Sequence, residues 1–258
     1  MYVTVLVENT SFTEGLRAEH GLSLYIEAND KKILFDMGQT ELFADNAEKL
    51  GIHLADIDVA VLSHGHYDHG GGLSKFLEIN KKAPVYLSRY AFGAHFHGPE
   101  RYIGLDAALA QNDRLIYTDD TASIGPGLSL FSCNTCQKSF ELGGFGLTLK
   151  RGGKFFPDDF RHEQYLLVEE NLKRVLFSGC SHKGILDIEE WFQPDVLVGG
   201  FHFSKLPPDE TLAGYAEFLG RFPTAYYTCH CTGTAQFEFM KSYIGNLHYL
   251  STGRSVKL

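Results

Sequence analysis

Basic charge is in short supply in this chain. Its 258 residues carry 23 Lys and Arg against 32 Asp and Glu, a formal net charge of −9. Without a cationic excess there is little to neutralise a phosphate backbone or an anionic bilayer, so neither nucleic acid nor a membrane is expected as a partner. No apolar run approaches the ~20 residues that span a bilayer. A basic segment followed by an apolar one is also missing at the start, where Tyr2-Val-Thr-Val-Leu-Val is apolar at once, so no secretion signal is expected. Cysteines number five, at 133, 136, 180, 229 and 231. An odd count without an export signal argues against a disulfide framework and for reduced thiols in a cytoplasmic protein. A zinc shared by Cys133, Cys136 and Cys229-His-Cys231 is disfavoured, because structural sites show matched paired spacings. There is no repeat at a solenoid period. What remains is an apolar content of 44%, fit for one domain over 1–258 with a large core. A small-molecule substrate is the partner this leaves. The 20 Phe and 13 Tyr fill either that core or the interface of a homo-oligomer. Histidine is the outlying count, at twelve, and it directs attention to metal or acid–base chemistry.

Strands come first. Residues 2–8, 22–28 and 31–36 are rich in Val, Leu, Ile, Tyr and Phe, and Asn29-Asp30 marks a hairpin turn between the last two. A helix is expected over 40–50, from Thr40 to the stop at Gly51. Asp58-Val-Ala-Val-Leu-Ser63 is continuously apolar and reads as a strand buried on both faces. Further strands are expected near 84–88, 128–131, 164–170, 173–178, 195–199 and 224–228. Helices are expected near 71–82, 208–220 and 232–242, with Pro207-Pro208 marking a start. The stretch 89–160, broken by Gly143-Gly144 and Gly152-Gly153, reads as a loop excursion over an active site. Two strand-rich halves suggest a pseudo-duplication without sequence identity.

The decisive segment is Leu62-Ser-His64-Gly-His66-Tyr-Asp68-His69-Gly-Gly-Gly-Leu73. Three imidazoles and a carboxylate fall within six positions directly after a buried strand, and these are the donors that zinc, iron or manganese take. An extended chain through His64 and His66 sends both side chains to one side. Asp68 and His69, after the turn, can address a second metal. Gly70 to Gly72 permit close backbone packing before a helix whose N-terminus favours an anionic substrate. One loop cannot complete two metal sites. The remaining candidates are Cys180 and His182 in Gly179-Cys-Ser-His-Lys-Gly184, His202 after Gly199-Gly-Phe, His230 in Cys229-His-Cys231, and His162 in Arg161-His-Glu-Gln164.

These segments resemble the metallo-beta-lactamase superfamily of hydrolases and, more narrowly, its dihydropterin-methyl-ribofuranosylaminobenzene-phosphate synthase-like branch. The resemblance runs through Glu8-Asn9-Thr10, Glu19-His20-Gly21, Ile33 to Gly38, Leu62 to Leu73, Gly179 to Gly184, Gly199 to His202 and His230 to Gly233. It implies an α/β fold, a four-layer αββα sandwich with a dinuclear site at one edge. It also implies two divalent metal ions, zinc first, with iron or manganese as alternatives. Asp36 matches the aspartate that orients the HxHxDH loop. His64 and His66 would hold the first metal, Asp68 and His69 the second, and His230 matches the last histidine ligand. Cys180 stands where a bridging aspartate is usual. His182 is then the preferred third histidine, with His162 as its rival.

The implied function is metal-dependent hydrolysis by a metal-bound hydroxide of a small phosphorylated or ester substrate. Asp68 would position or deprotonate the water. His202 would lie near the leaving group, as proton donor or as a support behind the ligands. Glu19, His20, Lys183, Thr232 and Gly233 would line the substrate pocket. The branch implies a second function, a synthase-like transferase. The third alternative is a metal-binding protein without enzymatic activity or a di-iron redox protein, although no flavin-binding domain is visible in the sequence.

Overall fold

The computed structural model describes residues 1–258. Two seven-stranded sheets face each other. The first runs, in spatial order, Ser255–Lys257, Tyr2–Val7, Ser23–Ala28, Lys31–Phe35, Val59–Val61, Val85–Ser88 and Leu115–Thr118. The second runs Leu247–Tyr249, Ala225–Thr228, Val196–Gly199, Lys173–Gly179, Tyr165–Glu170, Leu128–Phe131 and Thr121–Gly125. Each sheet is antiparallel in one half and parallel in the other, which gives structural form to the suspected duplication. In the first, pairing turns parallel between Lys31–Phe35 and Val59–Val61. In the second it does so between Lys173–Gly179 and Val196–Gly199.

Alternation along the strands builds three cores, because successive side chains point to opposite faces. Ile33 and Phe35 join Val175, Phe177 and Val198 between the sheets. Leu34, from the same strand, packs outward against Phe43 and Phe76. These two belong to the helices Leu42–Lys49 and Leu73–Ile79. On the far side, Leu176 and Leu197 meet Ile188, Leu212 and Phe237. Those residues lie on the helices Ile185–Phe192, Glu210–Leu219 and Thr234–Met240. The layers are helix, sheet, sheet, helix, as expected. No helix is long and apolar enough to cross a membrane.

The helix Ile185–Phe192 was not anticipated, and the excursion 89–160 is more ordered than its composition implied. It contributes Leu115–Thr118, Thr121–Gly125 and Leu128–Phe131 to the main sheets. It also forms a separate sheet in the order Lys154–Pro157, Leu147–Arg151, His95–His97, Arg101–Tyr102. These strands are short, and Lys154–Pro157 is exposed along its whole length, so no buried face leaves an alternating apolar pattern. The small sheet forms a flap whose strands border the site described below.

Glu189, on the helix Ile185–Phe192, is buried. Thr224 Oγ1 lies 2.6 Å from its Oε1 and 2.8 Å from Pro194 O. The Pro194 carbonyl can only accept, so the hydroxyl proton goes there and a protonated Glu189 fits best as donor to Thr224. Burial, outweighing Thr224 and Tyr226, pushes its carboxyl up from 4.5 to about 7. The unfolded chain loses this proton near 4.5 and the fold keeps it until about 7, so the group's contribution to stability falls as pH rises across that interval. Glu189→Gln is expected to match the parent below this window and to melt higher above it. Thermal melts from pH 4 to 9 measure the difference, and a gap that does not grow with pH would contradict it.

Candidate metal centre

Asp36 ends one parallel strand and braces the loop that leaves the next. It is wholly buried. Its Oδ1 accepts Ser63 N at 2.7 Å, and its Oδ2 accepts Ser63 Oγ at 2.7 Å and His69 Nδ1 at 2.6 Å. These bonds fix the tautomers. Ser63 has one hydroxyl proton and gives it to Asp36, so its oxygen accepts from His64 Nδ1 at 2.8 Å. His64 and His69 therefore carry protons on Nδ1 and present Nε2 lone pairs, with their rings 4.1 Å apart. Glycine is required on both sides of this brace. A Cβ at Gly65 would lie 2.0 Å from Ala91 O, and one at Gly179, where φ is +66°, would lie 2.4 Å from Ser63 Oγ.

His230 arrives from the second sheet, just beyond Ala225–Thr228. Its Nδ1 is 2.7 Å from Asn9 Oδ1. Gly21 N donates to that same oxygen at 3.2 Å, which fixes the amide and makes His230 a donor through Nδ1. Its Nε2 lone pair then lies 3.2 Å from His69 Nε2 and 3.4 Å from Asp68 Oδ2. Three electron-rich atoms meet with no proton among them. Burial, only partly countered by Asp68, brings the His230 imidazole down to about 4. His69 moves the other way: burial would lower it, but the carboxylates of Asp36, Asp68 and Glu163 together raise it. A proton on His69 or a metal ion would relieve the approach of His230 Nε2 to His69 Nε2 and Asp68 Oδ2.

A second group adjoins the first. His64 Nε2 is 3.3 Å from His182 Nε2, and His66 Nε2 is buried without a protein partner. One nitrogen from each of His64, His66 and His182 lies within 4.8 Å of the others. Cys180 Sγ, 3.1 Å from His69 Nε2, stands between the two groups. His162, the rival third histidine, is turned to another task. Its Nδ1 accepts Gly65 N at 2.9 Å, which leaves its proton on Nε2, 3.5 Å from Asp158 Oδ2. With Nδ1 engaged, His162 steadies the loop; its Nε2 has no hydrogen-bond partner, and it stands in another group of possible donors with His66, His95 and Asp158. Asp158 also binds His95 Nδ1 at 2.7 Å. Burial would raise its carboxyl, but His162 and His95 together hold it far below the usual range.

Each ligand-bearing segment is tied by its backbone to a buried carboxylate. Asp36 takes Ser63 N, Glu163 Oε1 takes His182 N at 2.6 Å, and Glu8 Oε1 takes His230 N at 2.6 Å. Glu163 also accepts Lys183 N and Tyr165 Oη. With Asp68 and Asp158 that makes five buried carboxylates around these groups, out of seven in the chain, whereas Lys183 is the one buried Lys or Arg. Such an excess of negative charge is stable in an interior when cations share it. Imidazole, thiol and carboxylate donors around a shared point also suit zinc or iron, so the residues fit a metal site.

The groups open into a cleft of about 270 Å³, lined in part by His66, Asp68, Cys180, His182, His202 and His230. His202, at φ +58°, sits with its ring 4.4 Å from that of His182. Among the expected substrate residues, His20 alone lines this cleft, its Nε2 3.2 Å from Asp68 Oδ2. The other four serve the scaffold. Glu19 accepts Gln39 N, Thr40 N and Thr40 Oγ1, fixing the start of the first helix. Lys183 is buried and donates to Ser132 O and Glu163 O. Thr232 is wholly buried, its Oγ1 accepting Phe201 N. Gly233, at φ +83°, sets up the helix Thr234–Met240. Neighbours of a ligand in sequence are drawn into its supporting bonds and away from the cleft. Sequence reading missed Tyr67, His97, Arg101 and Lys205 in the cleft wall. It also missed His95 and Asp158, whose roles depend on the flap.

A family profile described as the metallo-beta-lactamase superfamily matches residues 16–212. The chain belongs to the metallo-beta-lactamase superfamily. It is 29% identical to an uncharacterized protein of Methanocaldococcus jannaschii, across 98% of this chain and 99% of that one. It is 25% identical, over 98% of this chain and 95% of the other, to the 7,8-dihydropterin-6-methyl-4-(beta-D-ribofuranosyl)-aminobenzene-5'-phosphate synthase of the same organism. Among solved structures it is similar to Tm1679, a metal-dependent hydrolase of the beta-lactamase superfamily. The TM-score is 0.83 and the identity 29%, with 100% and 99% of the chains covered. In this chain the HxHxDH segment follows the strand Val59–Val61.

Glu163→Ala would leave two buried amides and the Tyr165 hydroxyl without an acceptor and Lys183 without its counter-charge. A loss of about 3–5 kcal/mol is expected, with a smaller loss for Glu163→Gln, which keeps one acceptor. Urea unfolding of chelator-treated protein measures both. Equal stability of the alanine variant and the parent would contradict the assignment.

Proposed function

We propose that the protein is a metal-dependent hydrolase of a small molecule carrying an ester or phosphoryl bond. The observation that carries the reading is the opposition of His69 Nε2 and His230 Nε2 at 3.2 Å beside Asp68. In this reading His64, His66 and His182 hold one cation, and Asp68, His69, Cys180 and His230 hold the other. Zinc suits the mixed nitrogen, oxygen and sulfur donors best, with iron or manganese as alternatives. When bound, such cations supply Lewis acidity and lower the pKa of water.

The chain's own residues supply the rest. Asp36 and Asn9 direct the imidazole lone pairs, which removes the cost of reorienting rings as substrate arrives. Asp68, steadied by His20, orients water and takes its proton. Burial, more than its charged neighbours, brings the His202 imidazole down to about 4. It therefore acts as a neutral hydrogen-bond donor toward the leaving group. The full-length similarity to the archaeal synthase favours a second reading, a transferase in which another nucleophile takes the place of water at the same site. Turnover in 18O-water separates the two, since hydrolysis alone leaves the label in the product.

Elemental analysis of purified protein tests the metal reading. Two equivalents are expected for the parent and for His162→Ala, and no more than one for His64→Ala and His182→Ala. Asp36→Asn, which can no longer accept from both Ser63 and His69, is expected to weaken metal affinity by roughly 10–100-fold. A His162→Ala protein that loses metal while His182→Ala retains it would reverse the third-ligand assignment. A single equivalent in the fully loaded parent would remove the two-metal reading.

A further inference from the structure

The cleft has a cationic wall that the metal groups do not use. Arg101 lies on the flap strand Arg101–Tyr102, directly across from His97 in the adjoining strand. Lys205 comes from the body of the fold, in the segment after Val196–Gly199, and its Nζ donates to His97 Nε2 at 3.2 Å. Gln236 fixes that segment by donating to Ser204 O and Leu206 O. Arg101 donates to Tyr67 Oη at 2.5 Å, beside the HxHxDH histidines. Arg101, His97, Lys205 and Tyr67 all line the one cleft.

Neither cation has an acidic partner. Seven of the 23 Lys and Arg are ion-paired, so it is the shared position of these two in the cleft wall that sets them apart. Both are exposed, and they converge on one cleft from separate segments, where a single anion could bridge them. We propose that Arg101 and Lys205, with His97 and Tyr67, form a clamp for a phosphoryl group of the substrate, joining the flap to the body when substrate binds. This rests on the hydrolase reading for its purpose but not for its geometry. A guanidinium fork, an ammonium and a phenol offer more donors than the two oxygens of a carboxylate accept, and they match the three terminal oxygens of a phosphoryl group.

Chelator-treated protein isolates the clamp from any bound metal. Inorganic phosphate and acetate are titrated at pH 8 into 15N-labelled parent, Arg101→Ala, Lys205→Ala and the double variant, with amide shifts as readout. Phosphate is expected to move the amides of residues 97–103 and 204–206. Binding should weaken by at least about tenfold in each single variant and vanish in the double. Arg101→Lys, which keeps the charge without the fork, should fall between the parent and Arg101→Ala. Acetate should bind at least about tenfold more weakly than phosphate. Phosphate binding that survives the double variant, shifts confined to other residues, or acetate binding as tightly as phosphate would each overturn the proposal. Metal content of the same proteins, reloaded, keeps the two readings apart. Normal metal loading with no phosphate response removes the clamp alone, whereas a phosphate response in a protein that never takes metal removes the hydrolase reading and leaves the clamp.

Discussion

The structure depends on satisfying a cluster of imidazole lone pairs and carboxylates at one rim of two facing sheets. His230 Nε2 approaches His69 Nε2 to 3.2 Å and Asp68 Oδ2 to 3.4 Å with no proton assigned between them. Charges and lone pairs at this range repel strongly where water cannot screen them. The chain holds them there with bonds from behind: Asp36 on His69, Asn9 on His230, Ser63 on His64. A proton on His69 or a bound cation would relieve the repulsion, and a cation bound there would be coupled to the stability of the fold.

Topology brings the groups together. In each sheet the parallel half has its strands ending at the same edge, and the candidate donor segments follow those ends: His64 to His69 after Val59–Val61, Cys180 and His182 after Lys173–Gly179, His230 after Ala225–Thr228. Carboxyl ends of parallel strands are where open α/β sheets place their ligands. Here two sheets contribute, and the segments that bridge them are long-range. Glu8, on one sheet, accepts the His230 amide from the other. A change at the interface between sheets would therefore be felt at the metal groups before it disturbed either sheet alone.

Much of this was legible in the sequence, and the limits have physical causes. The strand at 58–63 announced itself because both its faces are buried, and HxHxDH because its donors are local. The sequence preferred His182 over His162, and the structure groups His182 with His64 and His66 and His162 with His66, His95 and Asp158. His162 Nδ1 is taken by Gly65 N, a contact between segments 97 positions apart. Lys183 looked like a cleft residue because it follows His182. Its side chain instead reaches Ser132 O, a partner no local pattern reveals. The flap was unreadable for the opposite reason: with exposed strands and glycine turns, it has little hydrophobic periodicity to show.

That difference separates two kinds of residue. The metal groups stand at the ends of buried strands, fixed by carboxylates and glycines whose replacement leaves unpaired atoms or direct clashes. Arg101 and His97 stand on an exposed ribbon with few neighbours to disturb. Substitution on the flap can alter what the cleft accepts without loosening the donors behind it, since loops and small exposed sheets tolerate change that packed strand ends do not. Close likeness in backbone, such as the TM-score of 0.83 to a metal-dependent hydrolase, therefore carries information about the donors and much less about the substrate. In the proposed clamp, substrate choice would rest with the flap and the segment holding Lys205, where the charge balance of the cleft departs from that of the protein as a whole.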